Sequence, residues 1–134
     1  MPASDAAPPG PASLVLVVDD YEDNRRMFAE YLRLAGFRTE VAESGADGLA
    51  KAAALRPDAI VMDLAMPDLD GFEVTRRLRA DEATRHIPVI ALTAYPMGYS
   101  RHAALEAGCD SYLSKPCGPR QLVAEIRRLM GHAR

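Results

Sequence analysis

Four strand-like runs along the chain each stop at a residue bearing charge or a hydroxyl. Leu14-Val15-Leu16-Val17-Val18 stops at Asp19-Asp20, and Ala59-Ile60-Val61-Met62 stops at Asp63. Pro88-Val89-Ile90-Ala91-Leu92 stops at Thr93, and Asp110-Ser111-Tyr112-Leu113-Ser114 stops at Lys115-Pro116. The run before Asp63 is too apolar for a surface loop and too short for most helices, so it reads as a buried strand. Phe37 to Val41 predicts one more short strand, second in chain order. Between the strands the apolar period lengthens. Met27, Phe28, Tyr31, Leu32 and Ala35 predict a first helix closed by Gly36, with Asp23 or Asn24 as its cap. Ser44-Gly45 opens a second helix carrying Leu49, Ala53 and Leu55, which Pro57 ends. Phe72, Val74 and Leu78 mark a third. Ala103, Leu105 and Ala107 mark a fourth, ended by Gly108, whose start near Pro96-Met97-Gly98 is blurred by the Gly and Pro. Leu122, Ile126 and Leu129 form the stripe of a fifth, with Pro119 at its first position. Five strands alternating with five helices predict an α/β fold, a doubly wound parallel sheet.

In such a sheet the strand ends meet at one edge, where these folds place their ligands. Asp19, Asp20, Asp63, Thr93 and Lys115 would converge there. A carboxylate ending a buried strand is costly unless charge or chemistry compensates it. Three of them together repel and raise at least one pKa. A hard divalent cation removes that conflict. Mg2+ prefers oxygen ligands and keeps several waters, so two or three carboxylates and one backbone carbonyl, with Ala65 as the candidate, suffice. Mn2+ suits the same donors. With the cation bound, Asp63 is a carboxylate nucleophile facing an electrophilic phosphorus, with Lys115 and Thr93 on two phosphoryl oxygens. Singly, each Asp reads as a helix cap, Thr93 as a capping threonine and Lys115 as a solvated lysine. Their placement at the ends of four different strands decides against that reading.

From about Leu14 to Met130 the chain resembles a receiver domain of the two-component response-regulator family. Asp19 and Asp20 match the family's acidic pair. Asp63 in Met62-Asp63-Leu64-Ala65-Met66-Pro67-Asp68-Leu69-Asp70-Gly71 matches the phosphoacceptor and the loop behind it. Thr93 in Leu92-Thr93-Ala94 matches the switch hydroxyl, Tyr112 the switch aromatic, and Lys115-Pro116 the lysine and its proline, joined in the family by a cis bond. Cys117 stands where many receivers carry Phe. The Thr93-Ala94-Tyr95 and Gly108-Cys109-Asp110 neighbourhoods are similar to single-domain regulators of cell polarity and cell-cycle phosphorelays.

The resemblance implies flavodoxin-like strand order 2-1-3-4-5 with helices on two faces. It implies a receiver over 13–131, a Pro/Ala-rich tail over 1–12 and a C-terminal tail over 132–134. It further implies a stand-alone regulator that takes a phosphoryl group onto Asp63 from a sensor histidine kinase or histidine phosphotransfer protein. Mg2+ would be held by Asp19, Asp20, Asp63 and the Ala65 carbonyl, with Asp20 in direct contact. The output would be a changed surface read by a downstream protein target, or onward phosphorelay, by a monomer or weak dimer. The chain would be a phosphoacceptor that promotes its own phosphorylation and slow dephosphorylation, not an enzyme in the usual sense. Slow loss is expected because the positions two beyond Asp63 and Thr93, best placed to hold a water, are Ala65 and Tyr95.

Composition narrows the alternatives. A hydrophobic content of 49% and charged content of 26% over 134 residues suit one globular domain. A net charge of −3 with scattered Lys and Arg argues against nucleic-acid binding. No apolar run reaches the length of a membrane span, and Met1 to Ala12 lacks the features of a signal peptide, so a cytoplasmic location is expected. Cys109 and Cys117 fit no metal spacing and are expected as reduced structural thiols. His86, His102 and His132 share no motif. A haloacid-dehalogenase-like phosphatase would need an acid where Ala65 stands. A flavodoxin-like cofactor binder would need hydroxyls or glycines where Asp19-Asp20 stand.

Overall fold

The computed structural model describes residues 13–66, 68–93, 97–115 and 117–132. Five strands form one parallel sheet: β1 (Leu14–Val18), β2 (Arg38–Ala42), β3 (Ala59–Asp63), β4 (Val89–Thr93) and β5 (Ser111–Ser114), in the order β2-β1-β3-β4-β5. Every residue of β1, β3 and β4 is buried, which is why those runs are continuously apolar instead of alternating. Five helices connect the strands: α1 (Glu22–Leu34), α2 (Gly45–Leu55), α3 (Gly71–Ala80), α4 (Met97–Ala107) and α5 (Pro119–His132).

Helices α1 and α5 cover one face. There Phe28, Leu32, Leu122, Val123 and Ile126 meet Val15, Val17, Val61, Ile90 and Leu92. Helices α2, α3 and α4 cover the other, where Ala52, Val74, Leu78 and Ala104 meet Leu16, Val18, Ile60, Met62 and Ala91. Burying each large aliphatic side chain contributes about 1.5–3 kcal/mol, and the two layers leave the strand ends as the open edges. Among the described residues no helix is long and apolar enough to cross a membrane. Cys109 and Cys117 are free and buried, and burial pushes both thiols up from their ordinary range.

Several helix faces differ from the sequence expectation. Neither Asp23 nor Asn24 caps α1. The cap residue is Tyr21, which makes no side-chain capping bond. Its backbone N–H donates instead to Asp19 Oδ1 at 2.9 Å. The buried side of α1 is Phe28, Ala29 and Leu32, leaving Met27 and Tyr31 exposed. Strand β2 starts at Arg38, one residue later than expected, and Phe37 packs against the core instead. Ser44 caps α2 as its position suggests, accepting from the Asp47 N–H at 3.0 Å. The side that α2 buries, however, is Gly45, Gly48 and Ala52, while Ala53 and Leu55 face outward. A Cβ on Gly48 would lie 3.0 Å from Val18 Cγ1, so any larger residue would make Val18 give way where the helix meets the sheet. In α4, residues 103, 105 and 107 cannot share one helical face. Ala104 and Ala107 turn inward and Leu105 is exposed. Tyr95, the Lys115–Pro116 bond and the 1–12 tail lie outside the described residues.

Candidate functional site

The parallel register brings the strand ends level. Asp63 of β3 pairs with Leu92 of β4, and Thr93 pairs with Ser114 of β5. The Lys115 N–H then donates to the Thr93 carbonyl at 2.8 Å, and the Asp19 N–H donates to the Ala42 carbonyl at 3.1 Å. Asp19, Asp20 and Asp63 come together, with one carboxylate oxygen of each lying within 4.8 Å of the others. Asp19 and Asp63 are buried and Asp20 is exposed. Lys115 Nζ stands 3.2 Å from Asp19 Oδ2 and 3.7 Å from Asp63 Oδ2, so the ammonium sits nearer the strand β1 acid. Thr93 is fully buried at the end of β4. Tyr112 is buried in the core layer of α2, α3 and α4, two residues further back along β5 than Ser114.

Asp63 Oδ1 accepts the Ala65 N–H at 3.1 Å. Burial pushes the Asp63 carboxyl up to about 6, against the opposing pull of the Ala65 N–H and the Lys115 charge, and with smaller help from Asp19 and Asp20. The donors offered are hard oxygens carrying excess negative charge, a set that fits Mg2+.

The loop behind Asp63 is clamped at both ends. Asp68 accepts the N–H groups of Gly45 at 3.0 Å and Ala46 at 3.1 Å, latching the loop to the start of α2. Those N–H groups hold the Asp68 carboxyl below its ordinary range. A Cβ on Gly45 would collide with the Leu69 carbonyl. A Cβ on Gly71 would lie 2.5 Å from the Asp63 carbonyl, so glycine is needed where α3 starts directly behind the site. Asp70 caps α3 by accepting from the Glu73 N–H at 2.9 Å.

Two residues that the sequence reading did not assign to the site also contact its acids. Asn24 Nδ2 donates to Asp19 Oδ2 at 3.3 Å, and Arg25 Nη1 donates to the Asp19 carbonyl at 2.8 Å. Both lie in the first turns of α1, directly above the end of β1. Placing the helix start at Glu22 would have pointed to them.

Residues 15–127 match the response regulator receiver domain family. The chain belongs to that family. Over 119 residues it is 37% identical to the polar-differentiation response regulator DivK of Brucella ovis, covering 89% of this chain and 97% of the relative. The receiver domain of a sensor histidine kinase from Pseudomonas aeruginosa, solved with a magnesium ion coordinated in the active site cleft, superposes with a TM-score of 0.83 at 36% identity. That match covers 90% of this chain and 98% of the other. The chemotaxis protein CheY4 of Vibrio cholerae superposes with a TM-score of 0.83 at 32% identity, covering 87% and 98% respectively. Receiver domains are phosphoacceptors that bind Mg2+ at an acidic pocket and work with histidine kinases or phosphotransfer proteins. This receiver carries an acidic cluster of Asp19, Asp20 and Asp63 among its described residues. The expected family and the strand order 2-1-3-4-5 are both borne out.

Proposed function

We propose that this receiver acts as a DivK-like response regulator that takes a phosphoryl group from phosphohistidine onto Asp63. The observation that carries the reading is Asp63 itself, buried at a strand end with two further carboxylates and one ammonium around it. In the transfer, the phosphorus–nitrogen bond to the donor imidazole breaks as an Asp63 carboxylate oxygen bonds to phosphorus. The imidazole leaves with the electron pair. Asp63 must be ionised to attack, and a carboxyl held at about 6 is mostly ionised near neutral pH. Asp19, Asp20, Asp63 and the Ala65 carbonyl would hold Mg2+, which supplies charge neutralisation for the incoming phosphoryl oxygens. Lys115 and Thr93 contribute an ammonium and a hydroxyl to those oxygens.

Thr93 would then turn toward the phosphoryl group, and Tyr112 would follow into the space it leaves. That links the site to the surface of α4, β5 and α5, where a downstream protein or phosphotransfer partner would read it. The likeness to a polar-differentiation regulator favours a polarity signal or relay step, carried out in the cytoplasm by a monomer or weak dimer. The test is phosphotransfer from a panel of the source organism's histidine kinases. At least one should label the wild type in Mg2+, with no labelling in EDTA or in Asp63→Asn. Labelling that survives both changes would overturn the reading.

A further inference from the structure

Helix α2 starts on two acceptors, one local and one distant. The Asp47 N–H donates to Ser44 Oγ at 3.0 Å, three residues back. The Gly45 and Ala46 N–H groups donate instead to Asp68, at 3.0 Å on Oδ1 and 3.1 Å on Oδ2, in the loop behind Asp63. A helix start leaves its first N–H groups without intrahelical partners, and the helix dipole favours an anion there. The loop also lies hard against α2, since a Cβ on Gly45 would lie 2.8 Å from Leu69 Cβ. Between Asp63 and this latch stands Ala65, which is exposed. Leu64 and Met66, buried on either side of it, hold the loop from the core, and the Gly71 N–H donates to the Leu64 carbonyl at 3.1 Å. Asp68 ties the same stretch down from the side of α2.

We propose that Asp68 is a positioning residue for the cation site, holding the loop so that the Ala65 carbonyl is presented to Mg2+ together with Asp19, Asp20 and Asp63. This rests on the cation-binding part of the reading above and adds to it a residue that acts only through the loop. A ligand supplied by the backbone has no rotamers of its own. Its position is set by the chain on either side, so the contacts that fix that chain tune the affinity. Two other roles are open to an acid at this place. One is only to start α2, as Ser44 does. The other is only to add negative charge near the ion. The three roles separate because a carboxamide keeps the shape of Asp68 and an acceptor oxygen but not the charge, and because Ser44 caps the same helix locally.

The full chain is titrated calorimetrically with Mg2+ as wild type, Asp68→Ala, Asp68→Asn and Ser44→Ala, at a temperature where circular dichroism shows all of them folded. Asp68 is exposed, so neither substitution there opens the core. Asp68→Ala should bind Mg2+ roughly tenfold more weakly, the lower end of what losing a ligand's supporting contact costs. Asp68→Asn keeps one acceptor for the two N–H groups and should lose only about threefold. Ser44→Ala should lose stability but stay within about twofold in Mg2+ affinity. No loss in Asp68→Ala, equal losses in Asp68→Ala and Asp68→Asn, or a loss in Ser44→Ala as large as that in Asp68→Ala would each overturn the inference and leave the phosphoacceptor reading standing. A wild type that binds no Mg2+, and hence no beryllofluoride as a phosphoryl mimic, would overturn both.

Discussion

At the end of the sheet where the strands begin, Asp58 and Asp110 each precede a strand and grip the first residue of its neighbour. Asp58 Oδ2 accepts the Leu14 N–H at 2.8 Å, and its own N–H donates to the Leu14 carbonyl at 2.7 Å. Asp110 makes the same pair with Val89, both at 2.8 Å, and adds Arg79 at 2.7 Å. Arg79 then ties that end together by donating to the carbonyls of Gly108, Arg85 and Ile87. At the opposite end Asp63 has, among the described residues, one backbone donor at 3.1 Å, an ammonium at 3.7 Å and two neighbouring acids. Asp58 and Asp110 are exposed, whereas Asp63 is 6% exposed. The same side chain is therefore a structural clasp where N–H donors and solvent surround it, and a carboxyl pushed up in pKa where burial and like charges do.

The largest effect expected from this contrast is at Asp63. Its folded-state carboxyl sits at about 6, above the ordinary 3.8. The fold thus favours the protonated form. Stability from this group is full below about pH 4 and is lost as pH rises to 6. Without divalent cation the loss amounts to about 3 kcal/mol. Asp63→Asn should be more stable than wild type by up to that amount at pH 7.5, with the gain shrinking to little at pH 4, as read by urea denaturation. A variant no more stable at pH 7.5 would put Asp63 in the same class as Asp58.

Next in size, Arg79→Met removes the tie at the other end and should cost about 2–3 kcal/mol of stability, since it takes a donor from three carbonyls and the ion pair from Asp110. Its beryllofluoride affinity should stay within about twofold. A large loss there would mean the two ends are coupled. Asp20→Ala should weaken Mg2+ binding by about 2 kcal/mol, roughly thirtyfold, with little change in stability because the side chain is exposed. An unchanged Mg2+ titration would remove Asp20 from the cation site. The smallest effect is kinetic. Ala65 is exposed beside Asp63 and has no polar group to hold a water. Ala65→Asn should speed loss of the phosphoryl group roughly tenfold, about 1.4 kcal/mol in the barrier. Equal decay of the two proteins would show that water is placed by something else.

The acidic end was more legible in the sequence than the clasp. Buried strands that stop at Asp, Thr or Lys carry a charge or hydroxyl out of an apolar run, and parallel topology forces those residues to one edge. Asp58 and Asp110 stand in mixed polar stretches where an Asp excites no notice. Their partners are 44 and 21 residues away in the chain. Helix faces were misjudged where small residues do the packing. In α2 Gly48 lies against the sheet and Gly45 against Leu69, and in α4 Ala104 and Ala107 take the place that Leu105 would claim by hydrophobicity. Asn24 was read as a possible cap because the start of α1 was not fixed, and its actual partner, Asp19, lies five residues earlier.

On the proposed reading Asp63, and no other acid of the cluster, takes the phosphoryl group. Its most direct test is intact-mass analysis after incubation with acetyl phosphate, a small-molecule donor that needs no partner protein. The wild type in Mg2+ should gain one phosphoryl group, and both Asp63→Asn in Mg2+ and the wild type in EDTA should gain none. Stoichiometric labelling of Asp63→Asn would contradict the account.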